Sequence, residues 1–261
     1  MKLVLPKNLN RKLARALAEF ELIEDGDRIL IGFSGGKDSA FLVYALAVLQ
    51  QYVAYDFKLG VATVDLGFEG TDFAPLAGLC EKLGLEFSVI STRIAEYIKN
   101  EDRDNPCARC AHFRKGALID HMTDHGYKKL ALGHHYDDVV ETFMLSIIYS
   151  GQLTTIHPYR FLSDNQVSII RPLIYLRERE IIEGNRRLTD YKPRTAPCPV
   201  EGETRRQRLR QRFREVFNDK QLFYNTAAAM REDAHQELWP PEISSQQLRE
   251  RLNGLWGKSG K

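Results

Sequence analysis

Residues 33–40 read Phe-Ser-Gly-Gly-Lys-Asp-Ser-Ala, directly after an apolar run. That composition suits an anion held by backbone amides. Glycine lets N–H groups approach closely, a following helix N-terminus adds partial positive charge, and Lys37 can pair with phosphate oxygens. Asp38 is the odd member, because a carboxylate facing a phosphate repels it unless a divalent cation lies between them. Ser34, Gly35, Gly36, Lys37, Asp38 and Ser39 therefore point to a nucleotide with magnesium, Asp38 helping to place the metal. The Gly-x-x-x-x-Gly-Lys-Ser/Thr and Gly-x-Gly-x-x-Gly spacings are both absent from this stretch, which weakens the ordinary kinase, GTPase and dinucleotide readings.

Other residue sets carry chemistry of their own. In "LGHHYDDVVET" an apolar run ends in His134 and His135, and Asp137 and Asp138 open the next helix. The two aspartates suit either a metal-phosphate site or plain helix N-terminal capping, and one of the histidines reads as structural. Asp65 closes another apolar run, "VATVD", where an acid serves a ligand or a turn. Cys107 and Cys110 form a Cys-x-x-Cys pair, with Cys198 far downstream. Zinc, an iron-sulfur cluster and a redox disulfide all fit such a pair. A closed zinc site needs a fourth ligand, from Cys80, His112 or another histidine, whereas three thiolates suit a 4Fe-4S cubane with one iron open. Cys80 falls on the apolar face of "FAPLAGLC" and reads as core. Near the C-terminus come Arg205, Arg206, Arg208, Arg210, Arg212 and Arg214, and Leu209, Phe213 and Val216 fall on one helical face, leaving much of the arginine on the other. That arrangement fits a solvated helix face or RNA phosphate contacts, for which Arg205, Arg206, Arg208 and Arg212 are the candidates. Tyr191, among further basic residues, suits either packing or stacking on a base.

The elements that must position these groups alternate. Leu13, Leu17 and Phe20 recur at helical spacing in a first helix that ends near "EDGD". "RILIGF", "FKLGVATVDLGF", "LEFSVIST", "KKLALGHH" and "VSIIRPL" read as strands, and helical patterns separate the first four. The rhythm predicts an α/β fold: an open, doubly wound parallel sheet of about five strands covered by helices on both faces. An N-terminal helix over residues 1–25, a core domain over 26–200 carrying the Cys-x-x-Cys insertion, and a helical, arginine-rich extension over 201–261 complete the expected organisation. Net charge is only +2, so nucleic-acid contact has to come from local clustering. No run approaches the roughly 18 apolar residues of a membrane span, and four cysteines do not make a disulfide framework in a chain of this size. The expectation is a soluble, cytoplasmic protein with no membrane partner.

"SGGKDS" after a buried strand resembles the PP-loop of the N-type ATP pyrophosphatases, whose sheet is of the adenine nucleotide alpha hydrolase-like type. With "CARCAHFRKGAL", "LGHHYDDVVETFMLSIIYSGQL" and "IIRPLIYLRERE", most of residues 8–200 resembles the TtcA group of tRNA 2-thiocytidine synthetases. The resemblance implies that Cys107, Cys110 and Cys198 hold a 4Fe-4S cluster. It implies that ATP with magnesium adenylates the C2 carbonyl of an anticodon-loop cytidine in tRNA, and that sulfur from a cysteine desulfurase or sulfide replaces the oxygen. It also implies that Asp65, His134, Asp137 and Asp138 lie near the nucleotide, and that the protein forms a homodimer. Many members of the group read Pro-Cys-x-x-Cys-Gly where this chain has "PCPVEG", with Glu201 in place of the further cysteine. The rival readings are a lysidine synthetase-like ligase or amidating enzyme with a zinc-bound cysteine site, sulfur transfer to another RNA base or a small molecule, and a nonenzymatic nucleotide or redox sensor.

Overall fold

The computed structural model of the chain describes residues 4–99, 106–186, 191–193, 213, 216–231, 244–247 and 249. Its first half runs α1 (Lys7–Glu19), β1 (Arg28–Gly32), α2 (Lys37–Gln50), β2 (Lys58–Asp65), α3 (Ala74–Leu83), β3 (Glu86–Ser91) and α4 (Ile94–Lys99). Then come α5 (Pro106–His125), β4 (Lys129–Ala131), α6 (Tyr136–Ser150), β5 (Tyr159–Leu162), β6 (Val167–Ile170), α7 (Glu178–Asn185) and α8 (Lys220–Ala229). Cys198, Glu201, Arg205, Arg206, Arg208 and Arg212 lie outside the described residues.

The strands form one six-stranded sheet in the order β3-β2-β1-β4-β6-β5. β1 is central and parallel to β2 on one side and β4 on the other, so the chain reverses its direction of winding there. Alternation along the strands divides the core in two. Ile29 and Ile31 of β1, Val61 and Ala131 face the larger cluster around α1, α2 and α3. Leu30, Ala62 and Leu130 face Leu118, Ile119 and Met122 of α5. Every residue of α2 from Ser39 to Leu49 is buried, because the sheet lies against the helix and α7 and α3 pack on it as well. A helix enclosed in this way has no polar face to show, which accounts for the near-continuous apolar run after Lys37.

α7 approaches α2 through Gly184, where an added Cβ would stand 2.3 Å from the Phe41 ring. On the other side of α2, a Cβ on Gly133, just past β4, would stand 3.1 Å from the Asp38 and Ser39 backbone. Both contacts tie later parts of the chain to the start of α2.

The parallel α/β sheet expected from the alternation is present, with two differences. "YRFL" forms β5, antiparallel to β6 at the sheet edge, and the short helix α4 follows β3. β5 is mostly exposed and only four residues long, so neither burial nor alternation marks it in the sequence. No helix among the described residues is long and apolar enough to cross a membrane.

Candidate nucleotide and cysteine site

The phosphate-loop candidate turns sharply after β1. Gly35 has φ +83°, a conformation that strains any other L-residue, and Gly36 caps α2 in an extended conformation. Ser39 Oγ donates to the Gly36 carbonyl at 3.0 Å and lies 3.0 Å from Ser34 Oγ. The first intrahelical bond runs from Ala40 N to the Gly36 carbonyl at 3.0 Å, so the amides ahead of it are left for a ligand at the helix end. This end lies where the chain reverses its winding, the usual place for a ligand in an open α/β sheet.

Two side chains from the second half of the chain secure the loop from behind. Tyr191 Oη donates to the Gly35 carbonyl at 2.7 Å, buried beside Phe33 with ring centroids 5.7 Å apart. Asn185 Nδ2 donates to the Lys37 carbonyl at 2.9 Å. Tyr191 is thus packed beneath the loop and is not a stacking platform. Lys37 Nζ stands 2.9 Å from Asp38 and 3.0 Å from Glu178 of α7. Burial works against its charge, but the fields and hydrogen bonds of these two carboxylates outweigh it and raise its pKa.

In front of the loop opens a cavity of about 600 Å³, large enough for a nucleotide. Gly35, Asp38 and Ser39 line one side, Val64, Leu66 and Phe68 another, and His134 and Asp138 a third. The fourth wall is α5, through Ala111, Arg114, Lys115 and Leu118. Arg114 Nε is buried there with no hydrogen-bond partner among the described residues. Cys107 precedes Ala111 by one helical turn and Cys110 precedes Arg114 by one turn, so the half-buried cysteine pair continues this wall toward the helix N-terminus. Cys80, by contrast, is buried in the main core, and burial pushes its thiol up to about 12.

The two histidines part company. His135 is buried, its Nε2 3.7 Å from Asp38 and 3.5 Å from Asp138, and its backbone N–H donates to Asp138 at 3.0 Å. His134 lines the cavity and accepts from Arg171 Nε at 3.4 Å. The two aspartates differ as well. Asp137 accepts from Arg177 Nε at 2.9 Å and from the Glu178 N–H at 2.7 Å, which joins α6 to α7, while Asp138 faces the cavity. Asp65 stands at the end of β2, where its carboxylate accepts from the Gly67 N–H at 2.9 Å and closes a turn. Sequence reasoning missed Glu178, Asn185, Arg114 and Arg177. The signal for two of them lay in "RERE", whose conjunction of arginine and glutamate turns out to bracket both Asp137 and Lys37.

A glycine-lysine-aspartate loop at the reversal point of a parallel sheet defines a PP-loop protein, and the PP-loop domain family (ATP_bind_3) matches residues 5–215, so the chain belongs to that family. The tRNA-cytidine(32) 2-sulfurtransferase of Geobacter metallireducens is 36% identical over 215 residues, covering 80% of this chain and 83% of that one. That of Serratia proteamaculans is 35% identical over 179 residues, covering 68% of this chain and 58% of that one. Within the PP-loop proteins the chain belongs to the tRNA-cytidine(32) 2-sulfurtransferase family. It spans little more than half the length of the Serratia relative. The U34-tRNA thiolase NcsA from Methanococcus maripaludis, solved with its [4Fe-4S] cluster, shares the fold with a TM-score of 0.71 at 23% identity, over 86% of this chain and 76% of that one.

Proposed function

We propose that this protein is an ATP- and magnesium-dependent tRNA sulfurtransferase that thiolates a cytidine at C2. The observation that carries the reading is that the phosphate loop and the helix bearing Cys107 and Cys110 form two walls of one cavity. Activation by ATP and delivery of sulfur then act on a single bound base.

The residues divide the work. Gly35, Gly36, Ser34 and Ser39 present amides and hydroxyls to the phosphates, and Lys37 exchanges a carboxylate partner for a phosphate oxygen. Asp38, with Asp138 across the cavity, would hold magnesium, which a triphosphate needs beside two carboxylates. The cytidine C2 oxygen attacks the α-phosphate and pyrophosphate leaves. A sulfur nucleophile then forms the C2–S bond as the C2–O bond breaks and AMP departs. Magnesium and Lys37 offset the charge that develops on the phosphates.

The cysteine pair fits a thiolate-bound group: the two residues are half-buried and three positions apart in the first two turns of α5, so they lie on neighbouring turns of one helix face. With Cys198 as third ligand they would hold a 4Fe-4S cluster, which when bound supplies an open iron position for the transferred sulfur. Arg205, Arg206, Arg208 and Arg212 would add phosphate contacts to tRNA. A cysteine desulfurase or sulfide would supply the sulfur, a homodimer in the cytoplasm would be the working form, and the three segments proposed for the chain would divide scaffold, chemistry and RNA contact.

The test is anaerobic purification, analysis of iron and acid-labile sulfide, and incubation with ATP, magnesium, sulfide and an unmodified tRNA transcript, followed by nucleoside mass spectrometry. About four irons per chain and 2-thiocytidine in the digest are the expected result. Stoichiometric zinc without thiolation would overturn the reading in favour of a ligase.

A further inference from the structure

The face of the sheet that carries α5 ends, at the β5–β6 edge, in two arginines that no acid among the described residues accompanies. Arg160 of β5 is the register partner of Ile169, and Arg171 follows β6 with its N–H donated to the Pro158 carbonyl at 2.9 Å. Directly opposed residues of an antiparallel pair share a face, and residues offset by two are diagonal neighbours about 7–8 Å apart. Arg160 and Arg171 therefore project together. Val167 packs in the α5 cluster and Ile170 in the α2 cluster, so by alternation both arginines lie on the α5 side.

Neither guanidinium has a carboxylate partner among the described residues. Among the described residues the Arg171 guanidinium donates to His134 Nδ1 and to the His157 carbonyl, and the exposed Arg160 side chain makes no bond. Burial, with Arg160 as a second cause, pulls the Arg171 guanidinium down to about 10. Arg177 is the contrast within the same chain: buried, but bonded to Asp137 at 2.9 Å. A half-buried arginine facing a second arginine is costly unless an anion completes the pair. Two planar guanidinium groups side by side suit a phosphate oxygen cluster.

That anion is separate from the triphosphate of the loop. Arg160 is on β5, three strands from β1, or about 14 Å at ordinary strand spacing. Through His134 the pair nevertheless reaches the rim of the same cavity. We propose that Arg160 and Arg171 form a phosphodiester site that seats the substrate RNA backbone beside the cavity and so directs one base into it. The inference rests on the tRNA sulfurtransferase reading.

The experiment measures equilibrium binding of the anaerobically purified full chain to an unmodified tRNA transcript across a salt series, for wild type, Arg160→Ala, Arg160→Glu and Arg160→Lys. Arg160 is exposed on an edge strand, so these variants fold. Arg160→Ala should bind about fivefold more weakly and lose about one unit of the log–log salt slope, Arg160→Glu should bind more weakly still, and Arg160→Lys should retain most of the affinity. ATP affinity should stay within about twofold of wild type in all three, because Arg160 lies three strands from β1, about 14 Å at ordinary strand spacing. Arg171→Lys, which keeps the charge in the more buried position, should lose bidentate contact and bind less tightly than wild type. Unchanged tRNA affinity and slope in Arg160→Glu would overturn the site. Loss of ATP affinity with tRNA binding intact would overturn it too, by assigning the anion to the nucleotide. The functional reading fails separately, if wild type yields no thiolated nucleoside whatever its affinity for tRNA.

Discussion

On the loop wall of the cavity Lys37 stands between Asp38 and Glu178, and Tyr191 and Asn185 hold the carbonyls of Gly35 and Lys37 from behind. On the α5 wall Arg114 keeps a buried Nε without a partner among the described residues, and Cys107 and Cys110 stand half-buried at the helix start. The loop wall is complete as the chain folds, and its ligand exchanges partners with groups already in place. On the reading proposed above, the α5 wall would reach its working form only with an added group. Preorganisation is therefore concentrated on the loop wall, where phosphates would be oriented.

The sharpest way to separate the two walls is Cys107→Ala, Cys110→Ala or Cys198→Ala. Thiolation should be abolished while ATP binding, followed by equilibrium titration, stays close to wild type. Loss of ATP binding in a folded cysteine variant would merge the walls into one unit. Next in size is Gly184→Ala, which drives a Cβ into the buried Phe41 ring. It should cost about 1–3 kcal/mol in urea unfolding and, by lifting α7, weaken ATP binding as well. A stability loss with unchanged ATP affinity would mean that α7 does not brace the loop.

Tyr191→Phe is milder, removing one buried hydrogen bond from the Gly35 carbonyl. About 1 kcal/mol, or about fivefold in ATP affinity, is expected, with binding of tRNA unaffected. The smallest effect lies away from both walls. Glu19, at the end of α1, meets Tyr175, Arg15 and Arg231. Burial pushes its carboxyl up, but these three partners outweigh burial and bring it down from its ordinary 4.5 to about 2. The stability it contributes is thus full above pH 4.5 and lost as pH falls toward 2. Glu19→Gln should flatten that part of the pH dependence of urea unfolding without touching ATP binding, a control for variants that merely loosen the scaffold.

How much of this was legible in the sequence follows from the range of each interaction. Glycine-lysine-aspartate after an apolar run marks the loop because its chemistry and its turn are written in adjacent residues. Strand and helix alternation marks the sheet for the same reason. The clamp does not show, since Asn185 and Tyr191 act on residues 148 and 156 positions earlier and neither has a local pattern of its own. Nor could the sequence choose between His134 and His135, or between Asp137 and Asp138. Those choices are made by the direction in which each side chain leaves the turn between β4 and α6 or the first turn of α6, and by the arrival of Arg177 and Glu178. β5 was hidden by its brevity and exposure, and with it the facing of Arg160 and Arg171.

The bond from Tyr191 to Gly35 also sets an order of events during synthesis. The loop leaves the ribosome 156 residues before the tyrosine that secures it. At about 5–20 residues per second, that interval lasts roughly 8–30 s. β1 cannot pair with β4 until most of that interval has passed, so the nascent chain carries its phosphate-binding sequence without a finished phosphate site. A ribosome-stalled chain ending before Asn185 should accordingly fail to retain ATP, whereas one extended past Tyr191, with tunnel length added, should retain it. Nucleotide is thereby kept from acting as a template for early folding intermediates, and its capture becomes a sign that the sheet has closed.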